Sequence, residues 1–333
     1  MSVNKIDLSE LRNEKQVIYR DLWADKNFDF KIIKTGKKDF SYEFEFAGKN
    51  LVEFVGESVA NNFGIDNEKK TVFMEKFKMA CSGTGDELKK ITTLHSSSLC
   101  ALLFFFDVEE RPLKLHDVEF TKSFFEFKNK VIGYPSNIDV ILLGRNLKTN
   151  KKVLLFLESK FSEYITGINK ANSQYEIGSS YFKENCFSAP IYKKMVSEGI
   201  LFYNAEKSYF SSTDDKYIEG LKQIVSHYYG IRNFLDQKFY TKDNEHLDEI
   251  RDYGAEEYLL GEILFNNFND ELKQKYLIPY EKDYNKLAKI INIQCENEKK
   301  TELRVLEDSL RYSDLKDYIS VFPKIHDFYF GVN

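Results

Sequence analysis

The hydrophobic pattern is densest in the middle of the chain. Val140-Ile141-Leu142-Leu143 and Val153-Leu154-Leu155-Phe156-Leu157 are short runs apolar at every position, as in strands at the centre of a sheet covered by helices on both faces. They belong to three consecutive predicted strands, over 118–127, 138–143 and 153–161, each bounded by polar or turn-forming residues. Ahead of them, Cys81-Ser82-Gly83-Thr84-Gly85-Asp86 supplies turn and capping residues. A long helix is expected from there over 87–106, with Glu87 in its first turn and Leu88, Ile91, Leu94, Leu99, Leu102 and Leu103 as its apolar stripe. After the strands the spacing turns helical over 162–194 and 215–235, and 258–265 reads as a further strand. The first 80 residues are mixed, with strand-like alternation over 29–33 and 40–46 and a helical stretch over 51–61. Helix, three strands, helices and a late strand make an α/β or α+β sandwich. Three segments are expected: an N-terminal α+β extension over 1–81, a core over 82–268 and a C-terminal helical extension over 269–333.

Composition narrows the class. With 42% hydrophobic and 30% charged residues among 333, the chain is neither disordered nor a small disulfide scaffold. The longest apolar run, from Leu99 to Phe106, falls well short of the roughly 20 residues that span a bilayer. The N-terminus has no apolar secretory core, so a cytoplasmic protein without membrane contact is expected. The four cysteines, Cys81, Cys100, Cys186 and Cys295, form no C-x-x-C pair, and the five histidines form no metal-ligand spacing. A net charge of -5 excludes a polycationic surface that binds nucleic acid indiscriminately, though it leaves room for a local basic cleft.

The chemistry concentrates in the predicted hairpin. Six Glu-x-Lys triplets begin at Glu68, Glu87, Glu126, Glu158, Glu271 and Glu298, so the triplet alone says nothing. Context separates Glu158-Ser159-Lys160, which ends the most apolar strand, while Asp139 lies inside the strand before it. Their sequence midpoint falls between Lys148 and Thr149, in the polar stretch from Asn146 to Lys151. A hairpin turning there sets Asp139 opposite Glu158, and the period of two puts Lys160 on the face of Glu158. Two carboxylates can hold Mg²⁺ while waters and phosphate oxygens fill its other positions. A lysine beside them can orient a nucleophile or neutralise developing charge, and phosphodiester hydrolysis is the natural reaction.

Pro135-Ser136-Asn137-Ile138-Asp139, a hydrophobic strand and Glu158-Ser159-Lys160 together resemble the PD-(D/E)xK nuclease superfamily. Leu94-His95-Ser96-Ser97-Ser98-Leu99, Phe125-Glu126 and Lys160-Phe161-Ser162-Glu163-Tyr164 are similar to a bacterial restriction-endonuclease-like group within it. The resemblance covers about residues 82 to 265, and its one departure is a proline four positions before the aspartate instead of adjacent to it. It implies a restriction endonuclease-like core, αβββαβ, with a mixed central sheet flanked by helices and additions at both termini. It also implies Asp139 and Glu158 as ligands of Mg²⁺, with Mn²⁺ able to substitute, the Ser159 carbonyl as a further ligand, and Lys160 as the catalytic lysine. Expected function and partner follow: a DNA endonuclease of bacterial restriction or phage defence, acting on double-stranded DNA. A homodimer suits cutting at two-fold symmetric sites. The alternatives are a silent nucleic-acid-binding protein of the same fold and an RNA- or structure-specific repair nuclease.

Other residues have a functional and a plainer reading side by side. Glu87 fits the acid that many members carry on the first helix, and a first-turn glutamate also serves as a dipole-stabilising cap. Glu126 is the second acidic candidate, on a strand neighbouring Asp139. The triplet Glu126-Phe127-Lys128 with Asp117 upstream is rejected as the site itself, because its strand is less apolar and no aspartate lies at hairpin distance. Gln223 and His227 stand one turn apart on a helix, positioned to touch a phosphate or to form a polar helix face. His95 reads as a buried core histidine, and Ser96, Ser97 and Ser98 as small residues that permit close packing. Lys148, Lys151 and Lys152 are candidate contacts to a DNA backbone, or a solvated turn.

Overall fold

The computed structural model describes residues 30–34, 40–44, 51–82, 91, 96–131, 135–166, 185–206, 208–211 and 217–331. The chain divides into two compact units, one formed by residues 1–107 with 313–333 and the other by 108–312.

The first unit holds an antiparallel pair, β1 (Phe30–Lys34) and β2 (Phe40–Phe44), with Phe30 opposite Phe44. It also holds the helices α1 (Leu51–Asn62), α2 (Asn67–Ala80) and α3 (Ser97–Phe105). The C-terminal segment returns to them: Phe63 meets Phe328 edge to face at 5.1 Å, and Phe106 lies 5.1 Å from Phe322. The continuous helix expected over 87–106 is not what forms. Ser96 is extended (φ -71, ψ 116) and its hydroxyl accepts the Leu99 N–H at 3.0 Å, so Ser96 starts a new helix. A serine finds a better partner in an orphan N–H of a first turn than it does in a helix interior. Glu87 and His95 lie outside the described residues.

The second unit is built on a mixed seven-stranded sheet, flanked by helices. Its strands are β3 (Leu113–Leu115), β4 (Val118–Lys130), β5 (Pro135–Asn146), β6 (Lys152–Lys160), β9 (Glu257–Leu264), β10 (Leu303–Val305) and β11 (Leu310–Arg311). A separate small hairpin supplies β7 (Phe202–Asn204) and β8 (Tyr209–Ser211). The order is β10-β9-β6-β5-β4-β3, with β11 also on β9. The strands β3 to β6 are antiparallel neighbours, whereas β9 runs parallel to β6. Val140 to Leu143 and Val153 to Leu157 are buried throughout, as two-sided apolar strands should be. The C-terminal segment read as helical also supplies β10 and β11.

The turn between β5 and β6 forms where the polar stretch placed it. The Asn146 N–H donates to the Lys151 carbonyl at 2.9 Å, and the Asn146 side-chain oxygen accepts from the Lys148 and Thr149 N–H groups at 3.0 Å each. Asn150 takes the left-handed conformation (φ 61) that asparagine tolerates best among residues with a Cβ.

Between β6 and β9 the chain passes through α4 (Glu163–Thr166), α5 (Ala189–Ser197), α6 (Glu219–Leu235) and α7 (Leu247–Asp252), and α8 (Ile278–Asn297) follows β9. Helix α6 lies across β4, β5, β6 and β9. Phe234 anchors it edge-on to Phe127 at 6.1 Å and Phe156 at 6.4 Å, and each such buried ring contributes about 1.5–3 kcal/mol. Two glycines set how closely the helix approaches. A Cβ on Gly230 would stand 2.7 Å from the Asn129 Cβ on β4, and one on Gly220 would stand 2.1 Å from the Tyr280 hydroxyl.

Candidate active site

The site lies at the open end of the β5–β6 hairpin. The ladder runs from Arg145 opposite Lys152 to Val140 opposite Leu157, and one further step sets Asp139 level with Glu158. The Ser159 N–H closes that end by donating to Asp139 Oδ2 at 2.8 Å. The register extends the row of acids across the sheet. In the parallel ladder Glu158 is the partner of Glu262 on β9, and on β4 Glu126 falls level with Asp139, between the pairs Phe125–Val140 and Phe127–Ile138.

Glu158 is almost fully buried and engaged from three sides. Lys160 Nζ donates to its Oε1 at 2.5 Å, Gln223 Nε2 donates to the same oxygen at 2.8 Å, and His227 Nε2 meets Oε2 at 2.8 Å. Gln223 also accepts from Lys160 through Oε1 at 2.9 Å, which closes a three-membered ring of polar contacts. His227 passes its other nitrogen to Ser136, with Nδ1 2.6 Å from the Ser136 Oγ. The spacing of four residues puts Gln223 and His227 on one face of α6, and the glycine-permitted approach brings that face to β6.

The charges set one another. Burial alone would raise the Glu158 carboxyl, but the Lys160 ammonium and His227 outweigh it and hold the group at about 2. Burial would likewise lower Lys160, yet the Glu158 carboxylate keeps it well above the usual lysine value. Asp139 goes the other way: burial and the neighbouring Glu158 charge push it well above the usual carboxylate range, against Lys160 and the Ser159 N–H. Glu262 is fully buried and is pushed by that burial to about 8, against the Lys160 charge and the Tyr280 hydroxyl, which donates to both its oxygens at 2.9 and 2.8 Å.

Of the expected site residues, Asp139, Glu158, Ser159 and Lys160 are brought together. Ser159 is buried, and its hydroxyl lies 2.8 Å from the Tyr312 hydroxyl. Glu126 stands beside them on β4 with φ 52, a left-handed conformation that is costly for a glutamate inside a strand. Gln223 and His227 both bond to the Glu158 carboxylate; His227 is 2% exposed and both its ring nitrogens are engaged. Lys148, Lys151 and Lys152 belong to the opposite end of the hairpin. Lys148 pairs with Asp117 at 2.8 Å, Lys151 with Glu257 at 3.2 Å, and Lys152 donates to the Tyr253 carbonyl at 2.9 Å.

Sequence reasoning missed Glu262, Tyr280, Tyr312 and the pairing role of Ser136. The available signal for Glu262 was a lone acid in the otherwise apolar run from Leu259 to Phe265. Tyr280 and Tyr312 come from distant segments that no local pattern connects to the hairpin.

Among the described residues no group of three or more His, Cys, Asp and Glu side chains is placed to hold a metal ion. Asp139 and Glu158 are a pair of hard oxygen donors of the kind a divalent cation takes, although burial, with the Glu158 charge beside it, holds Asp139 well above the usual carboxylate range. Among the described residues no helix is long and apolar enough to cross a membrane. Compared with protein-family models, with curated proteins and with solved structures, the chain matches none.

Proposed function

We propose that this chain is a divalent-cation-dependent endonuclease of the PD-(D/E)xK type that hydrolyses phosphodiester bonds of DNA. The observation that carries the reading is the open hairpin end, where Asp139 stands level with Glu158 and Lys160 bonds to Glu158 from two positions along the same strand. The order β4-β5-β6-β9, three antiparallel strands followed through α6 by a strand parallel to the third, supports a restriction endonuclease-like core. Double-stranded DNA as substrate, restriction or phage defence as setting, a homodimer as assembly and the cytoplasm as location belong to the same reading.

Asp139 and Glu158, with the Ser159 carbonyl, would hold Mg²⁺ or Mn²⁺. A cation bound there supplies Lewis acidity and a water of lowered pKa. Lys160 uses two of its three N–H donors on Glu158 and Gln223, which leaves one to orient the attacking water or to meet charge building on the phosphate. Gln223 holds the ammonium and the carboxylate in fixed relation, so neither has to reorganise as charge develops. Glu126, level with Asp139 on β4, would act on the water or on a second cation.

The test is incubation of the purified protein with plasmid DNA, single-stranded DNA and RNA, with Mg²⁺, with Mn²⁺ and with a chelator, beside a Lys160→Ala variant. The reading expects cation-dependent cutting that falls about 10²–10⁴-fold in the variant. Equal cutting by folded Lys160→Ala, or no cutting of any substrate by the wild type, overturns it; binding without cutting favours the silent nucleic-acid-binding alternative.

A further inference from the structure

Glu158 carries more contacts than a simple ion pair needs, and their arrangement is directional. An ionised carboxylate only accepts hydrogen bonds, so at 2.8 Å from Glu158 Oε2 it is His227 Nε2 that bears the hydrogen. The other ring nitrogen, Nδ1, lies 2.6 Å from the Ser136 hydroxyl, which is itself buried. The chain therefore links Ser136 to His227 and, through the Nε2 hydrogen, His227 to Glu158. Its geometry is fixed by backbone as well as by side chains. Ser136 is the ladder partner of Asn129, and Asn129 lies against Gly230, less than one helical turn beyond His227, where a Cβ on the glycine would stand 2.7 Å from the Asn129 Cβ.

A carboxylate offers about four acceptor directions, two on each oxygen. On Glu158, Lys160 and Gln223 occupy Oε1 and His227 takes one direction of Oε2. We propose that Ser136 and His227 are positioning residues that lock the Glu158 carboxylate so that Oε2 alone keeps a free direction for the catalytic cation. This rests on the nuclease reading and deepens it, since neither residue touches the cation or the DNA. Outer partners of this kind commonly change cation affinity about 10–100-fold when removed.

The test uses the full-length protein and Mn²⁺ as the probe. Mn²⁺ binding is titrated by electron paramagnetic resonance, and kcat and KM are measured on plasmid DNA, for Ser136→Ala, Ser136→Thr, His227→Phe and His227→Gln. Ser136→Ala and His227→Phe are expected to weaken Mn²⁺ binding about 10–100-fold and to lower kcat while KM for DNA stays within about twofold. Threonine keeps the hydroxyl and glutamine keeps an N–H donor toward Glu158, so both are expected to restore most of the affinity. If His227→Phe fails to fold, Ser136→Ala carries the test alone, because it removes a single hydroxyl. Unchanged Mn²⁺ affinity in folded Ser136→Ala, with a wild type that binds Mn²⁺ and cuts, overturns the positioning chain and leaves the nuclease reading standing. A wild type that neither binds Mn²⁺ nor cuts overturns both.

Discussion

The two ends of the β5–β6 hairpin use the same residue types for different purposes. At the turn, Lys148 and Asp117 form an ion pair with side chains 73% and 51% exposed. At the open end, Lys160 and Glu158 form one with side chains 5% and 3% exposed. Along β6, Lys152 at the turn end and Glu158 at the open end are six residues apart, roughly 20 Å at about 3.3 Å per residue. An exposed pair is worth about 0–1 kcal/mol and is screened by salt. A buried pair repays its desolvation only with good geometry and added hydrogen bonds, and an apolar replacement often does as well. Stability alone therefore does not account for Glu158, Lys160, Gln223 and His227 at the end of an apolar strand. The difference supports the chemistry proposed for the open end and leaves ordinary surface pairing at the turn.

The contrast breaks most visibly in stability. Glu158→Ala strands the Lys160 ammonium in the interior and is expected to cost about 3–5 kcal/mol in urea unfolding. Asp117→Ala at the turn is expected to cost no more than about 1 kcal/mol; similar losses at both ends would erase the distinction. Replacing both partners sharpens it further. Glu158→Leu with Lys160→Met is expected to recover most of the lost stability while abolishing cation binding, and a double variant as unstable as Glu158→Ala would mean that the pair is a structural device after all.

Titration separates the acids of the open end from one another. Glu158 is held at about 2 in the folded chain against an ordinary value of 4.5, so its contribution is complete above pH 4.5 and is lost as pH falls toward 2. Its scale is on the order of 3 kcal/mol. Glu262 has the opposite sign: at about 8 in the folded chain it keeps a proton that the unfolded chain sheds near 4.5, so stability declines as pH rises between those values. In urea midpoints followed across pH, Glu158→Gln should flatten the acid limb and Glu262→Gln the alkaline one. Unaltered limbs would remove these assignments.

The smallest expected effect concerns Glu126. Both Glu126→Ala and Glu126→Gly delete the carboxylate, but only glycine adopts φ 52 without strain, so the glycine variant should be the more stable by about 1 kcal/mol. Equal thermal midpoints would show that the strand relaxes at this position.

The parts of the molecule legible in the sequence are those where one signal dominates. Strands β5 and β6 announce themselves by two-sided apolar runs, and the polar stretch from Asn146 to Lys151 places their turn closely enough to pair Asp139 with Glu158. Ser96 shows the limit: a cap and a small packing residue look alike until the backbone places the Leu99 N–H against its hydroxyl. The partners of the site were harder still. Glu262 reaches Glu158 only through a parallel crossover, and Tyr280 reaches Glu262 only because Gly220 leaves room for its hydroxyl. Gln223 and His227 were visible as a helical pair, but whether that face met solvent or sheet depended on packing between distant elements.

The most direct test of the central claim is a calorimetric titration of Mn²⁺ into the wild type and into Asp139→Ala, with folding checked by circular dichroism. The open end of the hairpin as a cation-dependent site predicts saturable binding by the wild type and its loss in a folded variant. Identical binding curves for the two proteins would contradict it.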